Sequence, residues 1–437
     1  MNAVSPAPER ARPAAWHRRA VAAPFHRLLD RIDGGLATGA IEASLPDGST
    51  RRLGDRAPGP VAIVAVHRWR ALVRLATRGS VGWYEGWAAG DWSACDPVPL
   101  FDLFMRNRVT LGVAARSGGV VRVADRMWHR LRRNTQAGAR RNVAAHYDLG
   151  NDFYREWLDE TMSYSSAIFR DPEEPLEVAQ RRKVDLLLDR LALRPGDGLT
   201  EIGCGWGFLA EVAARRGAQV VALTLSHEQK QIAEARIAAA GLSDEVAVTL
   251  KDYRDATGLK DAVVSCEMVE AVGERYWPAY LETIARVLKP GGRAAIQFIA
   301  IAEDVFPAYA AGVDFIQRYV FPGGMLLSEA RFRSIAEGAG LEWRDRTGFG
   351  ADYAETLRRW RLRFDAAVAE GRLPARFDAR FAGLWRYYLM YCEGGFRGGG
   401  IDVAQVTLVK SPVTPGPTRG PASACIEKKR DPGSRPG

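Results

Sequence analysis

A glycine-rich loop, Glu201-Ile-Gly-Cys-Gly-Trp-Gly207, constrains this chain more than any other segment; it follows an apolar run and precedes the helical pattern of residues 208–214. Glycine lacks a Cβ atom, so the backbone can turn sharply and approach a ligand closely. The spacing is GxGxG, not the GxGxxG of dinucleotide-binding proteins. No acidic residue ends the second strand, where those proteins hold a ribose. The loop therefore indicates an S-adenosylmethionine site and not a dinucleotide site.

The composition is that of a globular protein with two or three domains: 437 residues, 47% apolar and 26% charged. A net charge of +9 suggests an anionic partner, either nucleic acid or a membrane surface. Five scattered cysteines without CxxC spacing indicate neither a zinc site nor a disulfide framework, which suits the cytoplasm. No apolar run approaches the roughly 20 residues that cross a bilayer, and no signal peptide is recognisable. We expect any membrane contact to be peripheral.

Composition also divides the chain into segments. The predicted segments are a disordered N-terminus (1–22), a small α+β domain that associates with lipid (23–107), a basic linker (108–142), an α/β domain (143–410) and a disordered tail (411–437). A Pro46-Asp47-Gly48 turn predicts a hairpin in the small domain. Trp83, Trp87 and Trp92 there fit either a membrane interface or a core. The linker arginines between 122 and 141 fit either anionic headgroups or a solvated face.

The α/β domain alternates strand-like and helix-like runs, which predicts a doubly wound, mostly parallel sheet. Strands are predicted at 199–204, 219–224, 246–250, 262–266, 293–299 and 403–409. The segment 301–400 is mostly helical in pattern and is longer than a sheet connection needs. We therefore expect part of it to form a substrate lid.

Ligands of open α/β sheets bind at the carboxyl ends of the strands, and candidate site residues cluster there. In strand order they are Glu201, Gly203 and Gly205, then Thr224, Leu225 and Gln229, then Asp252 and Tyr253, and finally Glu270. Hydroxyl and amide groups can bind ribose hydroxyls without a carboxylate, and an Asp-Tyr pair can flank an adenine. Glu270 is expected to face the reacting centre.

Seven segments carry a resemblance to a known family. They are His146–Asn151, Met162-Ser-Tyr-Ser-Ser-Ala167, the glycine loop, Thr224-Leu-Ser226, Glu270-Ala-Val-Gly273, Tyr319–Gly324 and Tyr353-Ala-Glu-Thr-Leu357. Together they resemble the cyclopropane-fatty-acyl-phospholipid synthases and their mycolic acid relatives over about residues 140–410. The resemblance is weaker over the small domain, which the phospholipid-acting members also carry.

The resemblance implies a Rossmann-like class I methyltransferase fold with a seven-stranded sheet. It also implies that the protein transfers a methyl group from S-adenosylmethionine to a cis double bond in a phospholipid acyl chain and so forms a cyclopropane fatty acid. Such an enzyme would work at the inner face of the cytoplasmic membrane. The cofactor contacts of the family map onto Tyr164, Ser165, Gly203, Gly205, Thr224, Leu225, Gln229 and Tyr253; Glu201 and Asp252 join them by position.

Family members also hold a bicarbonate ion beside the methyl group, which implies a catalytic set of five residues. Glu270, Tyr353 and the backbone amide of Ile299 match that set. Ser166 stands where many members have cysteine, and Gln297 where many have histidine. Hydroxyl and amide donors can still bind an anion, which could then remove a proton. The two exchanges nevertheless weaken the expectation of ring closure.

Several functions are therefore compared. Cyclopropane formation is the leading hypothesis, and methylation without ring closure, giving a methyl-branched or methylene chain, is its alternative. A nucleic-acid methyltransferase would carry a base-handling motif such as Asn-Pro-Pro-Tyr, which the sequence lacks, so no nucleic-acid partner is expected. A lipid-binding protein without turnover is supported only by the replaced anion ligands. The sequence leaves the oligomeric state open, with a homodimer among the alternatives.

Overall fold

The computed structural model describes residues 15–112 and 149–412, which form a small N-terminal domain and a larger α/β domain. Helix α1 begins at Ala15, so residues 15–22 of the segment predicted to be disordered are helical, and residues 1–14 lie outside the described residues. Its sequence is rich in alanine, arginine and leucine, which favour helices, and its Leu29 and Ile32 are buried in the core. The linker arginines between 122 and 141 and residues 413–437 lie outside the described residues.

The small domain combines four helices with a four-stranded sheet. Its elements are α1 (Ala15–Gly35), β1 (Ala40–Ser44), β2 (Thr50–Gly54), β3 (Val61–Val66), α2 (Arg70–Ala88), β4 (Trp92–Ser93), α3 (Val98–Arg106) and α4 (Arg108–Leu111). The strand order is β2-β1-β3-β4, with β1 antiparallel to β2 and parallel to β3. The predicted hairpin is confirmed, since the Gly48 amide donates to the Leu45 carbonyl across the turn at 3.0 Å.

The larger domain is built around a seven-stranded sheet. Its strands are β5 (Gly198–Ile202), β6 (Gln219–Thr224), β7 (Val246–Leu250), β8 (Lys260–Cys266), β9 (Leu288–Ile301), β10 (Leu341–Gly348) and β11 (Ile401–Lys410). Its helices are α5 (Asn151–Arg155), α6 (Leu176–Asp189), α7 (Phe208–Arg215), α8 (His227–Ala239), α9 (Trp277–Val287), α10 (Phe306–Ala310), α11 (Phe315–Tyr319), α12 (Glu329–Gly338), α13 (Gly350–Ala369) and α14 (Ala379–Arg397).

The strand order β10-β11-β9-β8-β5-β6-β7 confirms the doubly wound α/β prediction. Strands β9, β8, β5, β6 and β7 are parallel, and β11 is antiparallel to both of its neighbours. The carboxyl ends of β5, β6 and β8 consequently lie side by side, and the loops that follow them carry the candidate residues.

The segment predicted to contain a lid has two different parts. Strand β10 is part of the sheet, since it pairs with β11 from Leu341 to Gly348, and helix α12 packs against β10. Helices α11 and α14 instead pack against the small domain, where the rings of Phe101 and Tyr387 lie 5.3 Å apart, and α13 packs against α14. Together with α10, these helices are the parts of the segment that could cover a substrate.

Two tryptophans of the small domain, Trp83 and Trp92, are packed inside it. Trp83 and Trp92 stack with their ring centroids 4.2 Å apart, and both are buried, which supports the core interpretation for them. Trp87 is partly buried against the ring of Tyr387. Within the described ranges, no helix is both long enough and apolar enough to cross a bilayer.

Candidate active site

The glycine loop connects β5 to α7 and is fixed to the neighbouring strand. The amides of Gly203 and Cys204 both donate to the Leu223 carbonyl at the end of β6, at 3.0 and 2.9 Å. Gly205 follows with φ at +52°, a left-handed conformation that favours glycine. The turn therefore presents its backbone to the space above the carboxyl edge of the sheet.

A cavity of about 190 Å³ lies over this loop and contains nine of the ten predicted cofactor residues. They are Tyr164, Ser165, Glu201, Gly203, Gly205, Thr224, Leu225, Gln229 and Tyr253. Asp252 is the exception, because its buried carboxylate pairs with the Arg254 guanidinium at 2.7 Å and caps the turn that follows. The structure thus assigns Asp252 to the support of the turn and not to the cavity wall.

A buried lysine lines this cavity. Lys183 on α6 is 2% exposed, and its ammonium group donates to the Ser165 hydroxyl. Burial raises the pKa of Glu201 to about 8, although the charge of Lys183 opposes the shift. The Oε2 atom of Glu201 is buried without a hydrogen-bond partner among the described residues.

A second cavity, of about 490 Å³, adjoins the first and is mainly apolar. Its wall comes from both domains: the small domain contributes Trp83, Phe101 and Met105, and the α/β domain contributes residues such as Phe321. The two cavities share wall residues, namely Tyr164, Glu267 and Ala271. The shared wall is where a group in the polar cavity could meet a chain in the apolar one.

Two glutamates lie at this junction, after the end of β8. Glu270 accepts a hydrogen bond from the backbone amide of Ile299, as expected of a site residue, and lines the apolar cavity. Glu267, which the sequence did not single out, lines both cavities. Its carboxylate accepts hydrogen bonds from the Tyr353 hydroxyl at 2.7 Å and from the Gln297 amide at 2.7 Å.

Ser166 and Gln297 are both buried behind Glu267. The backbone amide of Ser166 donates to Glu267 at 2.9 Å, while its hydroxyl donates to the Ala167 carbonyl. The expected role of the Ser166 side chain as an anion ligand stays a prediction, since its hydroxyl contacts the backbone in this structure. Gln297 does bind an anion, but that anion is the Glu267 carboxylate.

The two glutamates share a poorly solvated environment. Burial, and then the negative charge of Glu267, raise the pKa of Glu270 to about 8. Burial also raises the pKa of Glu267, against the effect of its three hydrogen-bond donors. Two carboxylates this close hold a proton more tightly than one. Because Glu267 has the donors, we assign the negative charge to Glu267 and the proton to Glu270.

Comparison with known proteins gives the family. The model of the mycolic acid cyclopropane synthetase family matches residues 134–406, which is more than half of the chain. The chain belongs to this family. The mycolic acid cyclopropane synthase CmaA1, solved in complex with SAH and CTAB, superposes with a TM-score of 0.58 at 30% identity, over 62% of this chain and 98% of that one.

Two curated relatives extend the match into the small domain. Tuberculostearic acid methyltransferase UfaA1 of Mycobacterium tuberculosis is 39% identical over 412 residues, covering 90% of this chain and 92% of that protein. Cyclopropane-fatty-acyl-phospholipid synthase of Escherichia coli is 34% identical over 340 residues, covering 77% of this chain and 84% of that protein. The protein that has this fold and this site is therefore an S-adenosylmethionine-dependent methyltransferase with the Rossmann-like fold.

The polar cavity of this protein fits S-adenosylmethionine. A Cβ atom built on Gly205 would meet no atom within 4 Å, so open space adjoins the loop where a ligand would lie. The Oε2 atom of Glu201, which has no hydrogen-bond partner in the described part of the chain, borders the same space and suits a cationic group such as the ammonium of the cofactor.

Sequence reasoning missed two charged residues of the site, although each left a signal. Lys183 occupies a position in the apolar stripe of α6, together with Val184 and Leu187, where a charge is unexpected. Glu267 directly follows β8 and stands three residues before Glu270. Both signals are positional, and neither shows which groups the side chains contact.

Proposed function

We propose that this protein transfers the methyl group of S-adenosylmethionine to the double bond of an unsaturated fatty acyl chain in membrane phospholipid. One observation carries the proposal: a polar cavity over the glycine loop meets a larger apolar cavity at Tyr164, Glu267 and Ala271. The apolar cavity has the character expected for an acyl chain, and the junction is where the methyl group and the alkene would meet.

The wall of the polar cavity supplies a role for each cofactor group. The turn at Gly203 and Gly205 would accommodate the amino-acid part of the cofactor, with Glu201 as the partner of its ammonium group. Thr224 and Gln229, which hydrogen-bond each other at 3.0 Å, are placed for the ribose hydroxyls. Leu225 and the ring of Tyr253 would border the adenine, while Tyr164 and Ser165 close the cavity over the methyl group.

The apolar cavity suits the reaction that follows. Bound S-adenosylmethionine supplies an electrophilic methyl group, and attack by the alkene leaves a carbocation on the acyl chain. Water would quench that cation, so an apolar enclosure protects it. The rings of Tyr164, Tyr353 and Tyr388 line this part of the cavity and can stabilise positive charge through their π faces.

The fate of the cation decides the product. Ring closure would give a cyclopropane, in keeping with the match to the cyclopropane-fatty-acyl-phospholipid synthase. The relative that matches 90% of the chain, however, is named as a methyltransferase and not as a cyclopropane synthase. We therefore place methylation without ring closure first, with cyclopropane formation as the second candidate.

An acyl chain that is part of a phospholipid can be reached only if the protein contacts a membrane surface. Arg78 and Arg108 lie in the wall of the apolar cavity and could pair with a lipid phosphate. The net charge of +9 would draw the protein to an anionic bilayer from the cytoplasmic side. A peripheral contact of this kind needs no membrane-spanning helix.

The test uses purified protein, S-adenosylmethionine carrying a trideuterated methyl group, and vesicles of dioleoyl phosphatidylglycerol. Deuterium should appear in the acyl chains, and vesicles of a saturated phosphatidylglycerol should stay unlabelled. Oleic acid presented without a headgroup distinguishes a phospholipid substrate from a free acid. Unlabelled dioleoyl lipid after prolonged incubation would refute the function.

The same sample identifies the product. Loss of a proton from a chain carbon keeps all three deuterium atoms, whereas cyclopropane and methylene products keep two. Catalytic hydrogenation then distinguishes the cyclopropane product from the methylene product, because mild conditions reduce the methylene group and leave the ring intact. Two deuterium atoms in a chain that resists hydrogenation would reverse our order of the two candidates.

A further inference from the structure

The donors expected to hold a bicarbonate ion are already used by side chains of the protein. The Ser166 amide, the Gln297 side chain and the Tyr353 hydroxyl all donate to Glu267. The remaining donor, the Ile299 amide, is taken by Glu270. The site as folded therefore does not fit an added bicarbonate, because a carboxylate of the chain already receives the hydrogen bonds such an ion would need.

The hydrogen bonds to Glu267 are distributed so that one oxygen stays reactive. Its Oε1 accepts from both Ser166 and Gln297, whereas its Oε2 accepts from Tyr353. A carboxylate oxygen has two lone pairs, so Oε2 keeps one for a proton. Glu267 also borders both cavities, which puts this oxygen beside the place where methyl donor and acyl chain meet.

The backbone holds Glu267 in an unfavourable conformation. Its φ angle is +47°, a left-handed value that costs a residue with a side chain about 1–2 kcal/mol. The Glu267 amide donates to the Gln297 carbonyl at 2.8 Å, which fixes this conformation against β9. Strain of this kind clusters at functional sites, where the surrounding structure enforces it.

The amide of Gln297 is itself oriented by a buried partner. Gln405 on β11 is 1% exposed, and its side-chain NH₂ donates to Gln297 Oε1 at 3.0 Å and to the Lys183 carbonyl at 3.1 Å. This contact directs the NH₂ group of Gln297 toward Glu267. The geometry at Glu267 is therefore set by a network that reaches across three strands.

We infer that the carboxylate of Glu267 replaces bicarbonate in this protein and is the base that removes the proton from the methylated acyl chain. The inference rests on the proposed function. As the S–CH₃ bond breaks, the alkene π electrons form the new C–C bond and leave a carbocation. A C–H bond near the cation gives its proton to Glu267, and its electron pair closes the ring or forms a new double bond. Glu267 then releases the proton to water when the product departs.

The first experiment compares the wild-type protein in bicarbonate-free buffer under a carbon dioxide-free atmosphere with the same protein in added bicarbonate. Transfer of labelled methyl groups to dioleoyl phosphatidylglycerol should proceed at the same rate in both. A wild-type rate that falls when bicarbonate is removed overturns the inference while leaving the proposed function intact. No transfer in either buffer would instead refute the proposed function.

The second experiment removes the carboxylate in two ways. Glu267→Gly also relieves the left-handed strain, so the variant should fold, and Glu267→Gln keeps the size of the side chain. The rate of methyl transfer should fall by about 100-fold or more in both variants, because about 100-fold is the lower end of the range that a general base usually contributes. Both should bind S-adenosylhomocysteine as the wild-type protein does. Either variant with a near-normal rate in bicarbonate-free buffer overturns the inference.

Rescue tests the replacement itself. Added bicarbonate or formate should restore part of the rate of Glu267→Gly, which has space for the ion, and none of the rate of Glu267→Gln. A Glu267→Gly variant that neither ion restores would overturn the claim that Glu267 stands in the place of an anion. Asp345→Gly is the matched control, because Asp345 has a similar φ of +53° on the exposed edge strand and is in the wall of neither cavity. It should keep the wild-type rate.

Discussion

Gly205 offers the sharpest separation of cofactor binding from folding. Its φ is +52°, and a Cβ atom there would meet no protein atom within 4 Å. A Gly205→Ala substitution should therefore cost the folded protein only the left-handed penalty of about 1–2 kcal/mol. The new methyl group would project into the space over the loop, where we place the cofactor.

The expected loss of affinity follows from overpacking. An extra methyl group in a well-packed contact typically costs about 1–3 kcal/mol. Since about 1.4 kcal/mol corresponds to a factor of ten, Gly205→Ala should weaken binding of S-adenosylhomocysteine by about fivefold to about 150-fold. This loss of affinity should appear in addition to the penalty of about 1–2 kcal/mol that the substitution imposes on the folding of the cofactor-free protein.

Two further glycines calibrate the measurement. Gly241 has a φ of +70° and open space around it on an exposed loop, so Gly241→Ala should show the conformational penalty alone. A Cβ atom on Gly207 would lie 2.9 Å from the Cβ atom of Ala233, so Gly207→Ala should destabilise the fold by an additional amount of about 1–3 kcal/mol.

Calorimetric titration with S-adenosylhomocysteine and urea unfolding of the cofactor-free proteins measure the two effects. Gly205→Ala should lose affinity and keep most of its stability, Gly241→Ala should keep affinity, and Gly207→Ala should lose stability first. Wild-type affinity in Gly205→Ala would refute the assignment of the loop. An affinity loss in Gly241→Ala as large as that in Gly205→Ala would refute the reasoning from contact.

Three other outcomes are expected. Tyr353→Phe removes one hydrogen bond to Glu267, so the rate of methyl transfer should fall by about tenfold, as expected for a bond to a charged group, while affinity for S-adenosylhomocysteine measured by calorimetry stays unchanged. Asp91→Asn weakens a buried carboxylate's ion pairs with three arginines in the small domain and should lower the unfolding free energy in urea by about 1–3 kcal/mol; an unchanged midpoint would contradict this. Because the pKa values of Glu201 and Glu270 are raised to about 8, the cofactor-free protein should lose stability as the pH rises from about 4.5 to about 8, and Glu270→Gln should flatten that dependence.

The sequence predicted the parallel part of the sheet well because its strands are buried and apolar. The bounds of β6 and β7 are those expected, and β5, β8, β9 and β11 differ only at their ends. Strand β10 was missed, since residues 341–348 are mostly charged or polar and largely exposed. Charged residues are common on edge strands, where they discourage pairing with other molecules, and they hide the alternation by which a strand is recognised.

The polar cavity was predictable for a similar reason. Its residues follow the strands of one sheet edge, so topology alone brings Gly203, Thr224 and Tyr253 together. The apolar cavity was not predictable, because part of its wall comes from the small domain. No local pattern indicates that Phe101 and Met105 lie across from Phe321.

Ser166 and Gln297 depart from the family pattern, and each exchange taken alone would indicate the loss of a bicarbonate ligand. The contacts of Glu267 give them a common explanation. If the anion is a side chain of the protein, Ser166 needs to supply only its backbone amide, which any residue can do. An amide at Gln297 can donate to a fixed carboxylate without titrating, and Gln405 holds it in the donating orientation. A tethered carboxylate also cannot diffuse away, so fewer strong ligands are needed to retain it than a free ion would require. The replacement of a bound anion by a side-chain carboxylate then accounts together for the residues at positions 166, 267 and 297. No single position could have shown this.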